Sequence, residues 1–437
     1  MSAYRFRAFT IQVPAGDSKV LLFNSVSGKK ALVSEALLRR LQAEGSAAGS
    51  KPERFVLDNF LVRTEDYAAD MKRISEESAR RAIESTRELS LYIVTTRECN
   101  FRCPYCSMED NILDAGGYMK KGMVRSLAKW MNRRAALYPY ERVLVSLYGG
   151  EPLYDPVELA ALMKELNDGV SLPVVYVAAS NGYNMDRETV LRLKELGLKQ
   201  VQVTLDGPPE VHDKRRLLAN SGGGTFRRIL DNIKGVCDIL PVCVRVNVDS
   251  QNAGRLEELF SLLKAEGLAG RVPVDAAPVQ PGCSDNEHCG SFALEGKALK
   301  ALVDAWRIIH GKGFKMAKRV LSAAPCTFYA RHAFTIDLGG DIYPCPGMIG
   351  YKGQICGRVD EEAAAGKRVP DVWEKCVGCE NIFSCAGGCR AVSMAVSGSL
   401  DRRNCDKKNT AELIRSFYTL MLQHDDNFSG GSAGSGR

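Results

Sequence analysis

From residue 90 onward the chain alternates short apolar runs with stretches whose apolar residues recur every three or four positions. The runs are Leu91–Thr95, Val143–Tyr148, Val174–Ala179, Gln200–Leu205, Val242–Val248 and Arg271–Ala276. Their length and richness in branched residues predict strands. Between them, Pro156–Leu166, Asp186–Leu196, Phe226–Ile239 and Leu256–Glu266 carry the helical period. Such a repeat predicts parallel strands joined by right-handed crossovers, hence an α/β fold built on a partial (β/α)6 TIM-like barrel. Sites in such barrels lie at the C-terminal ends of the strands.

The flanking segments lack this rhythm. Residues 1–88 contain no cysteine; Val20–Asn24 reads as a strand and Ser34–Ala43 as a short helix opened by a serine cap. A second apolar run, Phe55–Val62, follows Gly/Ser/Pro punctuation at 45–52, and a polar helix-like stretch covers 65–88. These residues form either a structural extension or a small peptide-docking module of strands and helices. After a helix near Leu294–His310 the chain becomes cysteine-rich and loop-like from 326 to 405, and a last helix spans about 406–424. So few apolar residues leave metal clusters to supply much of that segment's stability. The boundaries are 1–88, a core at 89–315, a cysteine-rich domain at 316–426 and a tail of flexible-linker composition at 427–437.

Of 437 residues, 45% are hydrophobic and 25% charged, as in ordinary globular proteins. The net charge of +7 is not gathered in one basic run. It permits an acidic partner, but a solvated surface explains it better, and no nucleic-acid partner is expected. No uninterrupted apolar stretch approaches 18 residues, and MSAYRFRAFT lacks a secretory h-region. We therefore expect no membrane partner and a cytoplasmic location. Fifteen cysteines in a reducing compartment point to metal ligation rather than disulfides.

Three of these cysteines, Cys99, Cys103 and Cys106, follow the first strand within eight residues. Three thiolates on one loop can hold three corners of a cubane and leave one iron open. A structural zinc would want a fourth ligand close by, and the next Cys or His is His212.

This CxxxCxxC arrangement resembles the signature of the radical S-adenosylmethionine (SAM) superfamily. There the open iron chelates SAM, whose reductive cleavage yields a 5′-deoxyadenosyl radical that abstracts a substrate hydrogen. Tyr105 matches the aromatic position near the adenine. Tyr148-Gly149-Gly150-Glu151-Pro152 resembles the GGEP motif that holds the methionine amino group, the glycines letting a backbone edge approach the ligand. Ser180-Asn181-Gly182 resembles the segment contacting ribose and carboxylate. The run from Leu205 through Asp206 and His212 to Arg216 is similar to the SLDG…HD..R segment of the SPASM-containing branch. Arg216 either neutralises the SAM carboxylate or stabilises its turn. His212 reads as a satisfied loop histidine, and Cys237 and Cys243 as buried core thiols.

The C-terminal cysteines agree. Cys326, Cys345 with Gly340 before it, Cys376-x2-Cys379-x5-Cys385-x3-Cys389 and Cys405 resemble the seven-cysteine SPASM pattern. By that resemblance Cys326, Cys345 and Cys389 hold auxiliary cluster I, and Cys376, Cys379, Cys385 and Cys405 hold auxiliary cluster II. Cys356, Cys283 or Cys289 supplies a fourth ligand to cluster I, or the position is open. Three [4Fe-4S] clusters and SAM are thereby implied, with a flavodoxin- or ferredoxin-like electron donor. Residues 1–88 resemble PqqD-like recognition domains, a small winged-helix-like fold, implying a ribosomal precursor peptide whose leader adds a strand to a sheet edge.

The expected reaction is a thioether or carbon–carbon crosslink in that peptide. Epimerisation and anaerobic sulfatase-type formylglycine formation are the alternatives. Pro346 stands where sulfatase maturases usually place an aspartate base, against the latter. A non-catalytic electron-transfer protein or a zinc-binding adaptor would use the same cysteines, but neither explains the motifs at successive strand ends. No side chain stands out as the general base.

Overall fold

The structure, a computed structural model, describes residues 3–24, 26–44, 49–84, 87–106, 108, 117–279, 297–316, 326–361, 366, 376, 379, 381, 385, 387–402, 405 and 407–422. The N-terminal segment folds as β1 (Tyr4–Phe6), β2 (Thr10–Pro14), β3 (Lys19–Asn24), β4 (Lys30–Ser34), α1 (Glu35–Glu44), α2 (Lys51–Phe60), β5 (Leu61–Arg63) and α3 (Tyr67–Glu84). An antiparallel sheet in the order β2-β3-β4 packs Leu22 and Val33 against Leu38 and Leu41 of α1 and Val56 and Phe60 of α2. The punctuation at 45–52 ends in a helix cap: Ser50 and Glu53 form a capping box. The apolar run Phe55–Val62 is therefore split, its first part helical and Leu61–Val62 paired with β1.

The core follows: β6 (Glu88–Thr96), β7 (Phe101–Arg102), α4 (Lys121–Leu137), β8 (Arg142–Gly149), α5 (Pro156–Gly169), β9 (Val174–Ser180), α6 (Arg187–Glu195), β10 (Leu198–Thr204), α7 (Pro209–Arg215), β11 (Leu217–Leu218), α8 (Phe226–Val236), β12 (Val242–Val248), α9 (Leu256–Ala265), β13 (Val274–Pro278) and α10 (Lys297–Gly311). Strands β6, β8, β9, β10, β12 and β13 are parallel neighbours in chain order, the expected partial barrel. The last of them starts at Val274 rather than Arg271, because Arg271 and Val272 still donate to Leu268 O in a turn.

Each strand shows two faces. Val143, Val145 and Leu147, Val201 and Val203, and Val244 and Val246 are fully buried in the main apolar core. The alternate positions, among them Tyr148, Gln202, Thr204, Arg245 and Asn247, are half-buried. Side chains alternate across a strand, so the open barrel has an apolar back and a polar hollow.

The segment expected to be loop-like from 326 contains β14 (Ala333–Ile336), β15 (Asp341–Tyr343), β16 (Gly357–Arg358) and α11 (Arg390–Ser397), before α12 (Lys407–Leu422). Strand β14 pairs parallel with β6, and β15 and β16 extend the sheet antiparallel. All four residues of β14 are buried, so this short run behaves as a core strand despite its cysteine-rich surroundings. Among the described residues no helix is long and apolar enough to cross a membrane.

Candidate active site

The loop after β6 carries Cys99, Cys103 and Cys106, and backbone contacts fix its path. Gly150 N–H donates to Thr96 O (2.9 Å) and Glu151 N–H to Glu98 O (2.8 Å). A Cβ on Gly150 would overlap Glu98 O and stand 2.7 Å from Arg97 O. Gly149 has φ +132° and would overlap Thr96 O in the same way. The two glycines thus let the end of β8 press against the cysteine loop, a reason beyond the approach of a ligand. Strand β7, inside the loop, pairs with β11, and Ala219 N–H donates to Asn100 O (2.8 Å). The segment carrying Arg215 and Arg216 is thereby stapled to the cysteines.

The three thiols line a cavity of about 450 Å³ at the C-terminal ends of the barrel strands. Tyr105, Gly149, Gly150, Glu151, Ser180, Asn181 and Arg216 line it too. Glu151 is buried; its Oε1 accepts from Ser180 Oγ (2.7 Å) and Leu153 N–H (2.8 Å), its Oε2 from Asn181 N–H (2.6 Å). Burial raises its carboxyl above the usual range, and those three donors oppose the rise. Asn181 Nδ2 in turn donates to Asn100 Oδ1 (2.7 Å), joining the third strand end to the cysteine loop.

Asp206 and Pro152 stand outside the cavity lining. Asp206 is fully buried behind it, accepting from the Tyr105 hydroxyl and from Asn247 N–H (2.9 Å). Pro152 contributes its carbonyl to Tyr118 Oη (3.0 Å). Arg216 faces the cavity. Its Nη1 donates to Tyr105 Oη (2.8 Å), and it lies 4.0 Å from Asp206. Its buried Nε has no hydrogen-bond partner among the described residues. His212 is a satisfied histidine: buried, with Nδ1 accepting from Asp206 N–H (3.2 Å) and Nε2 meeting Thr225 Oγ1 (3.2 Å). Cys243 is buried as expected, whereas Cys237 is only partly covered.

Burial pushes the Cys99 thiol up to about 12, helped by the nearby Glu151 charge. Cys103 rises to about 11, against the pull of Arg216. These free thiols interact electrostatically with one another, and iron binding would replace their protons. No three Cys, His, Asp or Glu side chains among the described residues meet tightly enough for a single metal ion. A cubane takes one thiolate per iron, so separated thiols around one cavity fit it. The cavity's buried carboxylate, glycine edge and Arg216 fit a zwitterionic cosubstrate beside the thiols.

Sequence reasoning did not single out the opposite wall. Gln202, Thr204, Arg245 and Asn247 face the same cavity. Arg245 Nη1 donates to Asp275 Oδ2 (2.7 Å), its Nε to Asn247 Oδ1 (3.0 Å), and Gln202 Nε2 reaches Asp275 Oδ2 (3.2 Å). The signal was present as polar residues at every second position of VQVT and VRVN.

Among the C-terminal cysteines, Cys345 is buried in an apolar cluster with Phe328, Tyr329 and Met348. Burial raises the Tyr329 hydroxyl above its usual range; Arg390 opposes the rise, and the nearby Cys326, Cys376 and Cys389 add to it. Cys385 has Cys376 and Cys379 as neighbours, and Cys405 is exposed. Cys356 packs against the main barrel core instead, its Sγ 3.6 Å from Gln354 O. Cys283 and Cys289 lie outside the described residues.

Residues 93–263 match the Radical SAM superfamily. Fe-coproporphyrin III synthase of Methanosarcina barkeri is 26% identical over 225 residues, which cover 50% of this chain and 52% of that protein. The chain thus spans about half of that relative's length. The solved structure of native anSMEcpe with bound AdoMet and Kp18Cys peptide superposes with a TM-score of 0.59 at 17% identity, covering 77% of this chain and 97% of that one. Streptococcus suis SuiB bound to precursor peptide SuiA gives 0.51 at 14% identity, covering 92% and 99%. At these identities the two structures establish a shared fold.

Proposed function

Because residues 93–263 match the Radical SAM superfamily, we propose that the chain is a peptide-modifying radical SAM enzyme that forms a thioether or carbon–carbon crosslink in a ribosomally made precursor. The observation that carries this reading is the meeting, in one cavity, of three thiols from one loop, the Gly149–Glu151 edge, Ser180–Asn181 and Arg216. In this reading Cys99, Cys103 and Cys106 hold the [4Fe-4S] cluster, and Glu151, Ser180, Asn181 and Arg216 surround SAM. When bound, that pair supplies a carbon radical able to remove a substrate hydrogen.

The protein's share is positioning. Glu151 is pinned by three donors, Tyr105 is held between Asp206 and Arg216, and the apolar back of the barrel keeps bulk water from that side. The seven C-terminal cysteines would hold two auxiliary [4Fe-4S] clusters, and a flavodoxin- or ferredoxin-like protein would deliver electrons. Residues 1–88 would act as a docking module for the leader of the precursor; the peptides bound in the two solved neighbours support a peptide substrate. Formylglycine formation is the second reading. Pro346, which opens a turn at Pro346–Met348, offers no carboxylate there.

Incubation with precursor, dithionite and SAM should yield 5′-deoxyadenosine and a peptide lighter by two hydrogens. A peptide of unchanged mass would favour epimerisation, and one carrying a new aldehyde would favour formylglycine formation.

Arg245 supplies a narrower check. Held by Asp275 and Asn247, its guanidinium presents fixed donors to whatever acceptor oxygen lies across the cavity. A hydrogen bond to a charged donor contributes about 1.5–3 kcal/mol. Arg245→Gln should therefore raise the peptide KM about tenfold or more. SAM cleavage without peptide should stay unchanged. An unaltered KM would remove Arg245 from substrate recognition.

A further inference from the structure

The turn that leads into β2 meets the C-terminal cysteines. Ala8 and Phe9 are buried, and Cys376 and Cys379 pack against them. Thr10 N–H donates to Arg7 O (3.2 Å), closing a turn in which Phe9 holds φ +68°. Glycine is the ordinary choice in that left-handed region, and a bulky side chain is rare there. Such strain persists only where the surroundings impose it, and it points to a use for the side chain. Here the surroundings are Val26, then Tyr67, Met71 and Ile74 of α3, and the two cysteines. The turn is anchored at its start: Arg7 N–H donates to Phe60 O (2.8 Å), and the Arg7 guanidinium meets Asp70 at 3.3 Å.

The cysteines on the far side of this contact are gathered by backbone. Cys379 N–H donates to Cys376 O (2.9 Å), and Cys385 N–H donates to Asn381 O (2.8 Å). Buried Asn381 reaches through Nδ2 to Lys407 O (3.1 Å), two residues beyond Cys405. Cys376, Cys379, Cys385 and the segment of Cys405 are thereby drawn together, which fits a cubane holding one thiolate per iron. Cys405 is exposed, while Cys376, Cys379 and Cys385 are partly covered. The group is thus open to water at Cys405 and met by the N-terminal module at Cys376 and Cys379. Solvent exposure is one of the levers that set the behaviour of an iron–sulfur cluster.

We propose that Phe9 is the cover of auxiliary cluster II: its ring shields the Cys376–Cys379 corner from solvent, so that the cluster persists only while the N-terminal module is seated. The proposal rests on the iron–sulfur reading of these cysteines and gives the strained turn its use. A module that moves aside uncovers the cluster, which couples whatever the module binds to the exposure of the cluster.

The test exposes anaerobically purified full-length protein to dissolved dioxygen and follows the loss of visible iron–sulfur absorbance and of bound iron. The phase belonging to auxiliary cluster II is the one missing when Cys376→Ala and Cys379→Ala are combined. In Phe9→Gly that phase should quicken about threefold or more, while the other phases keep their rates. Glycine suits φ +68° better than phenylalanine, so faster loss there tracks the missing ring and not a strained backbone. Phe9→Leu keeps an apolar side chain and should fall between; it carries the test if glycine prevents loading. Leu41→Ala is the control for a loosened module. It opens a hole in the module's other core, around Leu22 and Phe60, and should leave the phase unchanged. An unaltered rate in both Phe9 variants, or equal acceleration by Leu41→Ala, would overturn the proposal and leave the cluster reading standing. Zinc and no iron at these cysteines in the wild type, measured on the same sample, would overturn both.

Discussion

Gly150→Ala should reduce SAM cleavage by more than a hundredfold and destabilise the protein by about 2 kcal/mol or more. The cause lies in the backbone. The added methyl would meet the carbonyls of Glu98 and Arg97, and neither can rotate away as a side chain could. Relief requires β8 and the cysteine loop to part, breaking the bonds from Gly150 N–H to Thr96 O and from Glu151 N–H to Glu98 O. Glu151 and the three thiols would then lose their shared geometry. Gly122→Ala is the matched control. It sits in α4 with nothing within 4 Å of the new methyl, so alanine there should be neutral or stabilise by up to about 1 kcal/mol. The check is 5′-deoxyadenosine formation with a thermal melt of both variants. Full activity in Gly150→Ala would show that the loop does not depend on this contact.

That contact marks where the sequence stops being legible. The six core strands were readable because buried parallel strands leave dense runs of Val, Ile and Leu, and the motifs at their ends were readable from residue identity and order. Which atoms press on Gly150 was not, because the contact joins segments some fifty residues apart through backbone alone. The same limit explains Asp206: its place in the motif was visible, but only packing shows it behind Tyr105 rather than in the cavity. Arg245 and Asn247 were marked by the period of their strand, yet a period identifies a face and not what it faces. Strand β14 was missed because three apolar residues and a threonine between cysteines carry too little signal to outweigh a loop-like composition.

Replacing Cys99, Cys103 and Cys106 together with alanine should remove about one third of the iron from anaerobically purified protein and eliminate 5′-deoxyadenosine formation, if the chain holds three cubanes. Those thiols sit on a loop held by β8 and by the β7–β11 pair, and they share one cavity. The cysteines of 326–405 group elsewhere: Cys345 around Phe328 and Tyr329, Cys385 beside Cys376 and Cys379. Emptying the first site should therefore leave the second group loaded. Cys376→Ala with Cys379→Ala should do the converse, lowering iron while the first cluster can still be reduced. It should also loosen the N-terminal module, because Ala8 and Phe9 pack on those two cysteines; limited proteolysis near residue 9 reports that directly. Loss of all iron from the triple variant would mean that the sites fold as one. Zinc in place of iron, with no SAM cleavage in the wild type, would leave a metal-stabilised binding protein. The barrel hollow, with its polar wall of Gln202, Arg245 and Asn247, would then need another occupant.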